Sequence, residues 1–448
     1  MTNIITRRRF LGQLGATSLA LGMPSWLRAQ TNAPAVTGYK NLISPGKKLR
    51  IAAVGCGGKG RSDIINSSSE EIVALCDVDF ARASETFAYF PNAPRYRDFR
   101  QMLMEMGDGI DAVTVSTPDH MHYPVARLAM EMGKHVYVQK PMAHSVGEAR
   151  ALKKLAIETG VVTQMGNQGH ANEGTRLFKE WIDAGVIGKV TEAHIWTDRP
   201  VWPQPAIWVK PVPPPPTIDW DLWIGVATYH DYRDNIAPFN WRAYWDFGSG
   251  ALGDMGCHTM DACFWALNLR GPVKVSAEVR DASLISAPAA SKITYEFAAT
   301  PERDAVTMHW YDGGFKPPIP KELGNGIFPK TGSYVIGDKG IIMTTGDYNA
   351  TVRLLPESRM QEFLPHRPPK VIPRVPGSNP HLEWINACKG GPKPGSNFID
   401  HSADLSEMVQ LGNVALRMGR PIDWDPATGT CIGLPEADAI INKNYRLY

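Results

Sequence analysis

Cysteine is sparse and unpatterned in this 448-residue chain. Its six thiols, Cys56, Cys76, Cys257, Cys263, Cys388 and Cys431, contain no Cys-x-x-Cys pair, which argues against a disulfide framework and against a zinc cluster. A charge bias is missing too. The 47 Lys and Arg stand against 45 Asp and Glu, a formal +2, and without Arg7, Arg8, Arg9 and Arg28 the balance is −2. Neither figure suits a nucleic-acid binder. A run apolar enough to span a membrane is also lacking, because the uncharged stretch 10–27 is diluted by Gly, Gln, Thr and Ser. With 43% hydrophobic and 21% charged residues, nothing points to large-scale disorder. A chain of this length holds two domains, each able to bury its own core.

What the N-terminus does contain is Thr6-Arg7-Arg8-Arg9-Phe10-Leu11, which resembles the twin-arginine export consensus. Residues 1–29 are therefore expected to be a signal, with cleavage after Ala29, and the protein to be periplasmic or otherwise exported, with no membrane contact once the signal is gone. Residues 30–46, rich in Pro, Asn and Thr, read as a linker or surface arm.

From residue 49 an apolar strand runs into Gly55-x-Gly57-x-x-Gly60, and a helix is expected from Lys59. A second apolar run, Glu71–Cys76, ends at Asp77, at about the 20-residue spacing of the acid that takes ribose hydroxyls. One glycine makes the tight turn, the next admits a pyrophosphate, and the third lets helix pack on strand. The helix N-terminus adds free amides and partial positive charge. The alternation continues with strands near 110–116, 135–139 and 161–165 and helices at 123–132 and 145–159, the latter opened by a capping box of Ser145 and Glu148. Such units predict an α/β domain over 47–166 with a doubly wound parallel sheet, a Rossmann fold, whose ligand lies at the carboxyl ends of the strands. Polar clusters fall at those ends: 116–122, 139–141 and 166–168.

Gly55-x-Gly57-x-x-Gly60, Thr117-Pro118-Asp119-His120-Met121-His122 and Gln139-Lys140-Pro141, in that order, resemble the Gfo/Idh/MocA oxidoreductases, a family that includes glucose-fructose oxidoreductase and inositol dehydrogenase. Two positions depart from the pattern: Gln139 stands where the family usually has Glu, and Asp119 where it usually has Asn. The resemblance covers almost all of the chain beyond residue 48. It implies an NAD held by the glycine turn (Gly55, Cys56, Gly57, Gly58, Gly60) and Asp77. Ser116, Thr117, Pro118, His122, Gln139, Asn167 and Gln168 would border the ribose and nicotinamide. Asp77 would repel a 2′-phosphate, which favours NAD over NADP.

Residues 167–448 are expected to form a second, α+β domain with an open, largely antiparallel sheet and C-terminal helices that brace the first domain. On the family's pattern the exposed face of that sheet makes homodimers or tetramers. Seven tryptophans crowd residues 196–245. They suit either a saccharide platform or the burial of loops or a subunit interface. Trp241, Arg242 and His309 are candidate substrate contacts. A helix expected from about Leu252 to Ala266 places Asp254 and His258 four apart on one face. The pair fits proton transfer, with the carboxylate holding the tautomer and raising the basicity of the imidazole, but equally a packing pair or a metal-ligand pair. The family resemblance favours catalysis: Lys140 orients and polarises the reacting oxygen, His258 is the general base, Asp254 orients it, and no metal is called for.

Export adds a condition, since free NAD is not expected outside the cytoplasm. A retained cofactor must be regenerated in place. The chain is therefore expected to be an NAD-dependent oxidoreductase acting on a secondary hydroxyl of a sugar, glycoside or polyol. The alternative is a redox-neutral glycoside hydrolase working by oxidation, elimination, hydration and reduction. A non-catalytic NAD-binding sensor is the third and least economical expectation, because it leaves Lys140, Asp254 and His258 without a role.

Overall fold

The computed structural model describes residues 38–448, so the export signal expected over 1–29 and the start of the expected arm lie outside the described residues. Residues 39–46 run along the surface, with Lys40 N donating to Gly160 O (2.9 Å) and Ile43 N to Cys388 O (2.9 Å).

The first sheet contains β1 (Arg50–Val54), β2 (Glu71–Cys76), β3 (Arg95–Tyr96), β4 (Ala112–Val115), β5 (His135–Val138) and β6 (Thr163–Met165), ordered β3-β2-β1-β4-β5-β6 with every pair parallel. β4 and β5 are buried at every residue, as parallel strands covered on both faces by helices must be. The strand order reverses at β1 and β4, so the crevice opens beside Gly55 and Ser116. The Lys59–Asn66 helix begins at the glycine turn, and its N-cap residue Gly58 supplies no side-chain cap. The Val146–Thr159 helix starts on the capping box of Ser145 and Glu148 and stops at Gly160, which takes the left-handed conformation (φ 66°).

The second sheet contains β7 (Val190–Trp196), β8 (Lys274–Arg280), β9 (Ala290–Phe297), β10 (Val306–Tyr311), β11 (Gly332–Gly337), β12 (Gly340–Thr345), β13 (Thr351–Leu355), β14 (Ile422–Asp425) and β15 (Thr430–Cys431). Its order is β13-β12-β11-β7-β10-β9-β8-β14-β15. Only β7 and β10 pair in parallel; the other pairs are antiparallel. The Ala403–Met418 helix lies between the two sheets, packed on the Val146–Thr159 helix and on β8. Leu405, Met408, Val409, Leu411 and Val414 are buried there, so one core joins both halves. The Pro380–Cys388 helix covers the other face of the first sheet, with Trp384 and Ile385 against Leu49, Ile51 and Tyr137.

Two expectations change. The helix expected over 252–266 is a pair, Gly250–Thr259 and Asp261–Ala266, meeting at Met260. The tryptophan-rich stretch between β7 and Gly250 builds a core of its own: Trp202, Trp220, Trp223, Ile236, Tyr244 and Phe247 bury one another, with Trp208 and Trp241 packed on the outside. Trp196 belongs instead to the outer side of the second sheet, stacked on Phe328 at 4.5 Å. Among the described residues, no helix is long and apolar enough to cross a membrane.

Candidate active site

A cleft of about 520 Å³ runs over the carboxyl ends of β1, β2 and β4 and ends against the Gly250–Thr259 helix. Its first half is shaped by the glycine turn. Gly55 sits at φ +84°, and a Cβ there would lie 2.6 Å from Ser116 O. A Cβ on Gly60 would lie 1.9 Å from Gly55 O, so only glycine lets the helix start this close to the strand. At the end of β2 the Asp77 carboxylate accepts from Cys56 N (2.7 Å), Gly57 N (3.3 Å) and Asp79 N (2.9 Å). Burial nonetheless raises the Asp77 carboxyl above its ordinary range, with those three amides opposing.

Beneath the turn lies a carboxylate with no exposure at all. Asp63 accepts from Ser116 Oγ (2.8 Å) and Gln139 Nε2 (2.8 Å), pairs with Lys59 Nζ (2.7 Å) and meets His381 Nε2 (3.0 Å). Burial would raise its pKa, but His381 and Lys59 hold it below the usual carboxylate range. Asp63 thus ties the ends of β4 and β5 to the helix that follows the glycine turn.

At the far end the Lys140 ammonium donates to both Asp254 O and Asp254 Oδ1, each at 2.8 Å, with the two side chains only 13% and 14% exposed. An ammonium has three protons, so one remains for a ligand. Arg242 Nε stands 3.3 Å from the same Asp254 Oδ1 and its Nη1 bonds Asp119 Oδ1 at 3.1 Å. Burial would raise the Asp254 carboxyl, yet Lys140 and Arg242 hold it well below the usual range. His258 lines the same end, its Nδ1 buried without a partner among the described residues and its ring edge-on to Tyr348 at 4.9 Å. Burial, reinforced by the Lys140 charge, pushes its pKa far down, so the imidazole is neutral at neutral pH.

Asp254 was expected to hold and activate His258, and here the expectation is corrected. No hydrogen bond joins the two among the described residues, so the carboxylate, committed to Lys140 and Arg242, does not fix the tautomer; its charge raises the imidazole pKa, but burial and the Lys140 charge outweigh it. Asp261, one turn on, accepts from His170 Nδ1 (3.0 Å) and His401 Nε2 (2.5 Å) in a buried cluster outside the cleft. Each ring nitrogen that faces the carboxylate can donate to it, which accounts for the arrangement as hydrogen bonding.

Gly55, Gly57, Asp77, Ser116, Thr117, Pro118, His122, Gln139, Lys140, Gln168, Trp241, Arg242, Asp254 and His258 all line the cleft. Others do not. The Cys56 thiol turns inward to the carbonyl of Cys76 at 3.3 Å, while Gly58 and Gly60 act through the turn. Asn167 is buried away from the cleft against Ser396. His309 sits on the second sheet, stacked on His194 at 5.0 Å and bonded to Thr294 at 3.0 Å, because its position on β10 faces away from the cleft. Sequence reasoning missed Asp63, Arg82, Arg199, Ile218, Leu222, Phe239, Tyr348 and Tyr448, and had Trp202 only as one of seven tryptophans with two readings. All but Asp63 line the cleft, and most reach it from loops remote in sequence.

The cleft suits a dinucleotide on its own terms. Gly55 and Gly57 line the cleft, the following helix starts without a side-chain cap, and Thr117 Oγ1 and Gln168 Oε1 are buried in the cleft wall with no partner among the described residues. Comparison with known proteins agrees. Residues 49–167 match the Gfo/Idh/MocA model described as oxidoreductase family, NAD-binding Rossmann fold. Residues 186–302 match the companion model, oxidoreductase family, C-terminal alpha/beta domain. D-glucoside 3-dehydrogenase of Escherichia coli is 26% identical over 235 residues, 51% of this chain and 57% of that one. Levoglucosan dehydrogenase of Pseudarthrobacter phenanthrenivorans is 27% identical over 153 residues, 34% of this chain and 32% of that one. The chain thus spans from a third to somewhat over half of these curated relatives. Among solved structures, the WlbA dehydrogenase of Chromobacterium violaceum in complex with NADH and UDP-GlcNAcA superposes with a TM-score of 0.61 at 16% identity, over 86% of this chain and 98% of that one. An inositol dehydrogenase homolog from Azotobacter vinelandii, complexed with NADH and myo-inositol, gives 0.56 at 16% identity, over 86% and 100%. At those identities the likeness is one of fold.

Proposed function

The chain belongs to the Gfo/Idh/MocA oxidoreductase family, with an NAD-binding Rossmann domain, and from that premise we propose that it oxidises a secondary hydroxyl of a sugar, glycoside or polyol. The observation that carries the proposal is the meeting of Lys140 and neutral His258 at one end of a cleft whose other end is the glycine turn and Asp77. Bound NAD would supply a hydride acceptor. The chain's own residues supply the rest. The free proton of the Lys140 ammonium is placed to hold the reacting oxygen, and its charge favours an alkoxide there. An imidazole nitrogen of His258 takes the hydroxyl proton; its depressed pKa keeps it available as a base but makes it a weak one, so the Lys140 charge has to share the work. Asp254 fixes the Lys140 ammonium through two hydrogen bonds. Trp202, Phe239 and Trp241 offer aromatic faces along the wall next to Arg242, suited to the apolar face of a sugar ring.

We further propose export by the twin-arginine route, a cofactor retained through turnover, and assembly into a homodimer or homotetramer. Light scattering tests the last, and the size of the periplasmic form against the full chain tests the first.

One experiment tests the activity. Protein loaded with NAD is mixed with aldoses, inositols and methyl and aryl glycosides while absorbance at 340 nm and aglycone release are followed. NADH appearing without aglycone is the expected result. Aglycone release with no net NADH would replace the proposal with redox-neutral glycoside hydrolysis. Silence with every compound would favour a sensor. Lys140→Ala must abolish the absorbance change, or the lysine has been given the wrong role.

A further inference from the structure

The half of the cleft around Asp77 is covered by chain that belongs to neither strand-end loop. Residues 217–219 lie against 78–80 as a short antiparallel bridge: Phe80 N donates to Thr217 O (3.2 Å) and Asp219 N to Val78 O (2.8 Å), with Asp79 opposite Ile218. Arg97 Nη1 clasps the crossing by donating to Val78 O (2.8 Å) and Thr217 O (2.9 Å). Asp219 then caps the short Trp220–Ile224 helix, from which Leu222 and Trp223 face the cleft. The far end of this helix is held by Arg446, which donates to Gly225 O (3.0 Å), Asp221 Oδ1 (2.7 Å) and Asp221 O (2.9 Å), while its own amide donates to Val226 O (3.1 Å). Two residues later Tyr448 lines the cleft, its ring under the Arg100 guanidinium at 4.3 Å.

We infer that residues 217–225 and 446–448 form a roof over the Asp77 end of the cleft, and that opening this roof sets the rate at which a bound dinucleotide leaves. The inference rests on the cleft being a dinucleotide site, as proposed above. Val78, Phe99, Val125, Ile218, Leu222 and Tyr448 enclose an apolar and aromatic compartment beyond Asp77, which fits a flat heteroaromatic ring attached to a ribose held there. The roof's own Trp220, Trp223 and Ile224 pack into the satellite core of the tryptophan-rich stretch, so it moves with that core, and its fastenings across the cleft are the backbone bridge, Arg97, Arg446 and the His120 ring on Trp223 O (3.0 Å). The roof can therefore open without disturbing either sheet. A closed site regenerating its own cofactor needs this: solvent and substrate exchange at the Lys140 end while the Asp77 end stays shut.

The test uses holoenzyme carrying NADH and follows loss of bound-NADH fluorescence after excess NAD is added. Asp79 and Ile218 oppose each other without mutual hydrogen bonds, a placement with Cα atoms about 4.5 Å apart, within reach of a disulfide. In the Asp79→Cys/Ile218→Cys variant, oxidation is expected to slow NADH release at least about tenfold relative to the same protein under dithiothreitol. Arg446→Ala, which removes three side-chain hydrogen bonds, one of them to a carboxylate, is expected to speed release about tenfold or more. Equal release rates in the oxidised and reduced cysteine variant would overturn the inference even if Arg446→Ala fails to fold. NADH binding with one rate in every variant refutes the roof alone. Absence of NADH binding in every form, wild type included, removes the dinucleotide site and the roof together.

Discussion

Asp254→Asn separates the two roles this carboxylate can play. In the structure it anchors Lys140 and Arg242 and makes no hydrogen bond to His258. Removing one partner of a buried pair costs about 3–5 kcal/mol. Lys140 keeps the Asp254 carbonyl at 2.8 Å and Arg242 keeps Asp119 at 3.1 Å. Those remaining partners reduce the expected loss to about 2 kcal/mol. A double-mutant cycle on urea unfolding at pH 7, without nucleotide, then apportions it. Asp254→Asn with Lys140→Met should show a coupling of about 1.5–3 kcal/mol, and Asp254→Asn with His258→Gln less than about 0.5 kcal/mol. The second is small because His258 is neutral at this pH and gives the carboxylate no charge to meet. The pH dependence follows in sign. A carboxyl whose folded pKa is depressed contributes stability above its unfolded value of about 4 and loses it as pH falls toward the folded value. Wild type and Asp254→Asn should therefore converge in stability only below about pH 4. A larger coupling to His258 than to Lys140 would refute the assignment.

Three further outcomes are expected. Gly60→Ala drives a Cβ to 1.9 Å from Gly55 O and should weaken NAD binding about 10- to 100-fold by calorimetry; unchanged affinity would mean the turn is not where the dinucleotide lies. Gln139→Glu sets a second carboxylate 2.8 Å from buried Asp63, so one must take a proton; stability at pH 7 should fall by about 3 kcal/mol, recover as pH is lowered, and be restored in the Asp63→Asn/Gln139→Glu double variant, all by urea unfolding. His258, with its depressed pKa, stays a base below the ordinary value of about 6.5, so the acid limb of kcat/KM should be displaced to the acid side of 6.5 with NAD saturating; a limb at 6.5 or above would show that His258 is not buried beside a charged Lys140.

The Rossmann half is legible because its signals are local: a buried strand, glycines at turn spacing, and a capping box at Ser145 each specify backbone over a few residues. β3 is only Arg95–Tyr96, too short to carry a periodicity, and β14 and β15 are strands only by pairing with β8 and each other. Asp63 could not be read at all. A lone acid in a helix resembles a surface residue, and its partners Ser116, Gln139 and His381 stand 53, 76 and 318 positions away. Yet Asp63 gives a physical reason for the departure at position 139, since with a buried carboxylate already below the β5 end an amide is the side chain that can donate to it. The lysine, histidine and aspartate of the far end are legible as residue types. Their pairing is not, because helix spacing predicts who shares a face and not which neighbour from another element arrives first.

Of the two readings of the tryptophan-rich stretch, the burial of loops is the one the structure shows. Trp220, Trp223, Tyr244 and Phe247 are buried in a satellite core, so most of the aromatic investment goes into making 200–247 a rigid arch. The edges of that arch reach both ends of the cleft: Ile218, Leu222 and Trp223 at the Asp77 end, Trp202, Phe239 and Trp241 at the Lys140 end. One rigid body touching both ends couples them. Movement that frees the dinucleotide at Asp77 must tilt the aromatic wall beside Lys140, and a sugar bound against that wall opposes the tilt. Substrate should therefore slow NADH release in wild type, and at equilibrium it should tighten NADH binding by the same factor that bound NADH tightens substrate binding. In the oxidised Asp79→Cys/Ile218→Cys protein, where the arch is already fixed, substrate should change the release rate no further; a slowing there as large as in wild type would show that the two ends act independently.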